Sequence, residues 1–283
     1  MTTPIAQALR EATTRLQAIS DTARLDAELL MAHALGVPRS ELLLRHMDEP
    51  ASPDFAKLVE RRARHEPVAY ILGRKEFYGR EFAVGSGVLI PRMDSETTVA
   101  AALAACPSPG RVLDCGVGSG ALLLTILAER PAAIGLGIDR SAQALSIATI
   151  NADRLGLADR ASFRAADWDE PGWNQDLGRF DLVLANPPYV EDDAPIGPAV
   201  RQWEPAGALF AGSEGLDAYR VLVPQLSALV ADEGVVVLEI GATQADAVAA
   251  LAEQSGFGSQ LHHDLGGRPR ALVLRRLPAS AAH

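Results

Sequence analysis

Asn186-Pro187-Pro188-Tyr189 brings together a side-chain amide, a backbone carbonyl and an aromatic ring directly after the apolar run Asp181-Leu182-Val183-Leu184-Ala185. The two prolines restrict the backbone there, so the three groups keep a fixed relation to one another. The Asn186 oxygen and the Pro187 carbonyl can each accept one hydrogen from a planar NH₂ group, and the Tyr189 ring can pack on its π-face. Such a cradle selects a primary amide or an aromatic amine. A second segment, Asp114-Cys115-Gly116-Val117-Gly118-Ser119-Gly120, ends an apolar run and opens a helical pattern. Its glycines let the backbone approach a ligand, and the exposed N–H groups of the helix start favour an anion. The same residues fit Gly116-x-Gly118-x-x-Ala121, so spacing alone admits either a dinucleotide or S-adenosylmethionine.

Two further positions complete a candidate ligand site. Asp139 lies 19 residues beyond Gly120 at the end of the next apolar run, where a carboxylate can accept both hydroxyls of a ribose. It also stands just ahead of Ser141 and a helical pattern, which fits a capping role equally. Asp167-Trp168 follows the third run; the acid can accept from an adenine amino group while the indole covers the ring face, or the indole can simply fill the core.

The elements that must position these residues read as α/β. Runs at Arg111–Cys115, 134–139, 161–165, 180–185, 234–240, 260–264 and 271–275 predict strands, and helical patterns near 94–105, 121–129, 141–155, 216–230 and 243–255 separate most of them. Right-handed crossovers and a largely parallel sheet follow, with the last two strands closed by a hairpin through Gly266-Gly267 that makes one of them antiparallel. Ahead of the sheet the pattern is purely helical. Ile5, Leu9, Ala12, Leu16 and Ile19 recur on one face. A second helix from Asp21 is expected to bury Leu25, Leu29 and Ala32 before Gly36-Val37-Pro38; a third starts at Ser40, and a fourth carries Phe55, Leu58 and Val59. From Val68 through Phe82 the alternation predicts a β-hairpin linking the two parts.

The chain has 283 residues, 48% hydrophobic and 22% charged, as an ordinary globular protein has. With 26 Lys+Arg against 36 Asp+Glu its net charge is −10, which gives no basis for tracking a phosphate backbone. Cys106 and Cys115 form no C-x-x-C pair and no histidines surround them at ligand spacing, so neither a disulfide framework nor a metal site is expected. No leader or membrane-spanning run is read, and a cytoplasmic location with no membrane partner is expected. The tail Pro278–His283 reads as frayed, and Glu60–Glu66 as a solvated helix face.

With these motifs in place, the chain resembles the HemK family of S-adenosylmethionine-dependent methyltransferases. The resemblance rests on the order of motifs and on Ile90-Pro91-Arg92, Asn186-Pro187-Pro188-Tyr189 and Trp203-Glu204-Pro205, and it runs from about Ala6 to Leu277. It implies a class I seven-stranded Rossmann-like sheet with a small N-terminal helical bundle and a β-hairpin linker, divided as 1–66, 67–93 and 94–283. It further implies methyl transfer from S-adenosylmethionine to the glutamine nitrogen (N5) of the Gly-Gly-Gln motif in peptide-chain release factors; a monomer is expected. Gly116, Val117, Gly118, Ser119, Gly120 and Asp139 then face the cofactor, with Asp167 and Trp168 at its adenine side. Asn186, Pro187, Pro188 and Tyr189 hold the substrate glutamine, and Asn186 also borders the cofactor methyl. Val117 stands where the family usually has Thr, and Met93 where Pro is usual.

Three other readings compete. An amino-methyltransferase acting on adenine N6 in nucleic acid would present the same NH₂, but it needs phosphate contacts that an acidic chain does not offer. A non-catalytic S-adenosylmethionine-binding module leaves the Asn186 cradle without a purpose. A dehydrogenase lacks a His or Lys after the fourth strand.

Overall fold

The computed structural model describes residues 3–278, so most of the tail expected to fray lies outside the described residues. The chain divides into two compact units: one runs to Arg74 and includes Ile196–Trp203, and the other comprises Lys75–Pro195 and the chain from Glu204 onward.

The first unit is helical. It contains α1 (Ile5–Leu16), α2 (Ala23–Leu35), α3 (Arg39–Arg45), α4 (Phe55–Ala63) and α5 (Val68–Leu72). The stripe Ile5, Leu9, Ala12, Leu16 of α1 is buried as its spacing predicts. On α2 Ala32 is buried as expected, but the rest of the buried face differs: Ala23, Ala27, Leu30 and Met31 are covered, Leu29 is half-buried and Leu25 is 40% exposed. Two acids account for this. Asp26 is buried and takes hydrogen bonds from Arg62 Nε at 2.8 Å and Ser20 Oγ at 2.8 Å, and Glu28 is buried between Arg24 and Arg39. Paired carboxylates therefore occupy the inner arc, and counting apolar residues alone rotates the stripe. The same pair corrects the reading of Glu60–Glu66 as a solvated face, since Arg62 is a buried partner from α4. Val68–Leu72 is a short helix rather than a strand: Pro67 presets its first turn, its carbonyl accepts from Tyr70 and Ile71 N–H, and Gly73 ends it.

In the second unit, β1 (Arg74–Phe77) and β2 (Arg80–Ala83) form the expected hairpin across Tyr78-Gly79. Phe77 and Phe82 are buried from its two strands. There follow α6 (Glu96–Ala105), β3 (Arg111–Cys115), α7 (Ala121–Glu129), β4 (Ile134–Asp139), α8 (Ala142–Arg154), β5 (Ala161–Ala165) and β6 (Phe180–Ala185). The next helix, α9 (Pro198–Trp203), belongs to the helical unit, where Trp203 Nε1 donates to the Arg64 carbonyl at 3.3 Å. The chain closes with α10 (Asp217–Leu222), α11 (Leu226–Leu229), β7 (Val230–Glu239), α12 (Ala245–Gln254), β8 (Phe257–His263) and β9 (Pro269–Arg276). The single helix expected near 216–230 is broken around Pro224, which has no N–H to continue the ladder.

The seven strands lie in the order β5-β4-β3-β6-β7-β9-β8. β3 through β7 pair in parallel, while β9 runs antiparallel between β7 and β8. Apolar residues alternate across the two faces. Val112, Leu182, Leu184, Val235 and Val237 join one core, and Leu113, Val183, Val236 and Leu238 join the other. Strand order reverses direction between β3 and β6, so the crevice at their carboxyl ends is where a sheet of this kind binds ligands.

Candidate active site

Cys115 and Ala185 are register partners, so the glycine loop and Asn186 leave neighbouring strands side by side at that reversal. A cavity of about 420 Å³ opens there. Its wall includes Gly116, Val117, Gly118, Ser119, Asp139, Asp167, Trp168, Asn186 and Pro188. Of the residues singled out in sequence, Gly120, Pro187 and Tyr189 do not line it.

The glycine loop is held from several sides. Gly116 and Val117 N–H both donate to the Ile138 carbonyl, at 2.9 and 2.8 Å. Gly118 N–H donates to Asp139 Oδ2 at 2.9 Å, and Asn151 Nδ2 donates to the Ser119 carbonyl at 2.8 Å. Gly116 has φ +81°, and a Cβ there would sit 3.1 Å from the Trp168 ring, so a glycine is required where the indole closes over the loop. At Gly120 the requirement comes from the backbone, whose φ of +83° strains any residue with a Cβ, and a Cβ would also meet Leu124 Cδ1 at 2.8 Å. The Val117 side chain is 4% exposed and occupies the space left by Gly137, where a Cβ would come within 2.6 Å of it.

Asp139 stands on the cavity wall and does not itself cap α8. Oδ1 accepts from Ser141 N–H at 2.9 Å while Oδ2 braces Gly118, and the carboxylate still lines the cavity. The cap of α8 itself is Ser141, whose hydroxyl accepts from Ala144 N–H at 3.2 Å. Trp168 is fixed through its carbonyl, which accepts from Gln225 Nε2 at 3.1 Å.

At the Asn186 loop, Asn186 lines the cavity and its side-chain amide has no hydrogen-bond partner among the described residues. Pro187 is buried. Tyr189 packs against the core on the β7 side, and burial pushes its hydroxyl up to about 12, so the phenol stays protonated. The loop is pinned by Gln244: Nε2 donates to the Tyr189 carbonyl at 3.1 Å and to the Gly215 carbonyl at 3.0 Å, and Oε1 accepts from Gly241 N–H at 3.0 Å.

Sequence reasoning gave no individual role to three groups, of which Asp114 and Glu204 stood inside quoted motifs and Gln244 in none. Gln244 carried no signal beyond its place after Gly241. Glu204, whose side chain is 1% exposed, accepts from Ile90 N–H at 3.0 Å and from Arg92 at 2.6 Å; it thereby joins Pro91 and Arg92 to Pro205 in one cavity wall. The third is Asp114, buried on the cavity wall, with Oδ2 accepting from Leu123 N–H at 3.2 Å and Oδ1 unpartnered. Burial raises its carboxyl to about 7, and burial does the same to Glu239 at the end of β7, where Thr98 Oγ1 donates to Oε2 at 3.4 Å.

These two acids predict a pH effect. In the folded state both hold their protons more tightly than an ordinary carboxyl, so the unfolded chain releases protons first as pH rises above about 4, and stability falls until both are ionised above about 7. Thermal denaturation of the ligand-free protein should show a melting temperature that declines from about pH 5 to about pH 8, with a shallower decline in Asp114→Asn and Glu239→Gln. An equal slope in both variants and the parent would remove these carboxyls from the effect.

The donor set can be tested against a ligand. An orphaned carboxylate oxygen suits an ammonium group, Asp139 suits sugar hydroxyls, and the indole beside Asp167 suits a purine. S-adenosylmethionine carries all three complementary parts, and the residues present fit it. The sheet and this cavity define an S-adenosylmethionine-dependent methyltransferase. Residues 7–73 match the PrmC N-terminal domain family, and residues 108–224 a methyltransferase domain family. The chain is similar to the release factor glutamine methyltransferase of Rhodospirillum rubrum, 43% identical over 90% of this chain and 80% of that one. It is likewise similar to those of Cereibacter sphaeroides, 43% identical over 97% and 99%, and Caulobacter vibrioides, 42% identical over 90% of each. The chain belongs to the release factor glutamine methyltransferase family.

Proposed function

We propose that this protein transfers a methyl group from S-adenosylmethionine to the side-chain nitrogen of the glutamine in the Gly-Gly-Gln motif of peptide-chain release factors. The observation that carries the reading is the unpartnered Asn186 amide beside the glycine loop at the strand reversal. Family membership agrees with it. The cofactor would be held by Gly116 to Ser119, Asp139, Asp114 and the Asp167-Trp168 pair, and when bound it supplies an electrophilic methyl on a sulfonium.

The chain's own residues have to solve one problem, because an amide nitrogen is a poor nucleophile whose lone pair is delocalised into its carbonyl. Asn186 Oδ1 and the Pro187 carbonyl accept the two amide hydrogens, hold the group in place and favour a pyramidal nitrogen. Their attraction strengthens as the nitrogen gains positive charge. The methylated nitrogen is very acidic and sheds its proton to water or to a backbone oxygen. A strong base is unnecessary, and among the described residues no histidine lines the cavity. Tyr189, assigned to the face of the amide in sequence, packs against the core and does not line the cavity.

The reading extends to the helical segment expected over 1–66, whose role is to recognise the folded release factor. The substrate is a protein, with no direct nucleic-acid contact, consistent with a net charge of −10, and the enzyme acts as a cytoplasmic monomer. Among the described residues no helix is long and apolar enough to cross a membrane. The test is incubation with labelled S-adenosylmethionine and intact release factor, then mass mapping of the product. Label on the Gly-Gly-Gln glutamine is expected; label elsewhere, or on a nucleic acid offered in competition, would overturn the assignment.

A further inference from the structure

We propose that the turn between β8 and β9, with Leu265 at its tip, and the adjacent Met93 form a docking point for the release factor. This rests on the function proposed above and adds where the protein substrate is gripped. Leu265 is fully exposed and Met93 is 71% exposed, two large apolar side chains facing solvent.

Topology places the turn. β8 runs antiparallel to β9, which is itself antiparallel to β7, so β8 points the same way as β6 and β7. Its end therefore emerges at the carboxyl edge of the sheet, the edge from which the Asn186 loop also rises. The turn is braced. Asp264 Oδ1 accepts from Gly266 N–H at 2.8 Å and Arg268 N–H at 2.9 Å, and Oδ2 accepts from Arg268 Nε at 3.0 Å. Arg270 then spans from Asp264 to Asp94, at 3.5 and 2.8 Å. Asp94 follows Met93, and Arg92 before it lines the cavity. A chain of ion pairs thus ties the exposed leucine to the cavity wall.

The occupant follows from that continuity. A protein that delivers a loop to Asn186 lays the surface around that loop over this edge. A glutamine between small residues offers little to recognise, so discrimination has to come from contacts remote from the reacting nitrogen. An apolar anchor on a turn already held in place loses little freedom when covered, which favours binding. The matching feature on the partner is an apolar patch beside its Gly-Gly-Gln loop.

The experiment compares the full-length protein with Leu265→Ser, Met93→Ser and the double variant on intact, unmethylated release factor. KM for release factor should rise about tenfold in the double variant, with kcat at saturation and affinity for S-adenosylmethionine unchanged. An unchanged KM overturns the proposal. A fall in melting temperature or cofactor affinity that accounts for the loss assigns the residues to the fold and overturns it too, as does a wild-type dimer that dissociates on Leu265→Ser with unaltered kinetics. Absence of transfer by the wild-type protein to any release factor is a different failure, because it removes the functional reading itself and this proposal with it.

Discussion

Replacing Asn186 with alanine is expected to slow methyl transfer about a hundredfold while leaving the fold and cofactor affinity nearly intact. The side chain makes no hydrogen bond within the described protein, so its removal disturbs no packing network. In the proposed mechanism it deletes one of two acceptors that align the substrate amide, and leaves an amide hydrogen unpaired. By analogy with loss of one oxyanion-hole donor the barrier rises on the order of 3 kcal/mol. Single-turnover kinetics on release factor, with cofactor titration and circular dichroism as controls, measure this directly. Turnover near the parent rate would take Asn186 out of the mechanism.

Asp139→Ala should act on the other side of the reaction. Charge-assisted hydrogen bonds to ribose hydroxyls are worth roughly 1.5 to 3 kcal/mol, so affinity for S-adenosylmethionine should drop by about tenfold to a hundredfold, and the rate should recover at saturating cofactor. The structure sharpens the expectation, because the same carboxylate also orders Gly118 and Ser141. Asp139→Asn keeps one acceptor for that bracing and separates the two contributions: a milder affinity loss than in the alanine variant is expected. Unchanged affinity in calorimetry on Asp139→Ala would leave only the bracing role.

The sheet was readable because its strands are continuous apolar runs cut by glycine, proline and helical patterns; 111–115, 134–139, 161–165 and 180–185 lie where the runs do. The helical unit was harder. On α2 the pattern is carried partly by acids, and Asp26 becomes an interior residue only because Arg62, 36 positions away, arrives to pair with it. No local periodicity encodes such a partner. Val68–Leu72 was misread for a related reason: five apolar residues fit strand or helix equally, and Pro67 and Gly73 decided the outcome. In the candidate site the glycine loop and Asn186 stand out by residue type, whereas Gln244 and Glu204 act by bridging segments distant in sequence. Asp114 was visible as part of the loop, but its unpartnered oxygen is a property of burial.

The helix Pro198–Trp203 belongs to the helical unit although it is encoded after six strands of the other. During synthesis the N-terminal helices therefore leave the ribosome well before their last member, and the bundle waits on most of the catalytic sheet for completion. The polypeptide crosses between the units near Arg74, before Ile196 and after Trp203, so one proteolytic nick near Arg74 would leave the two still joined through the other crossings. A gene fragment ending at Arg74 would encode a bundle short of α9, and its complement would carry α9 without the Arg64 carbonyl that its tryptophan bonds. Genetic exchange of the helical unit between relatives would have to move both pieces together.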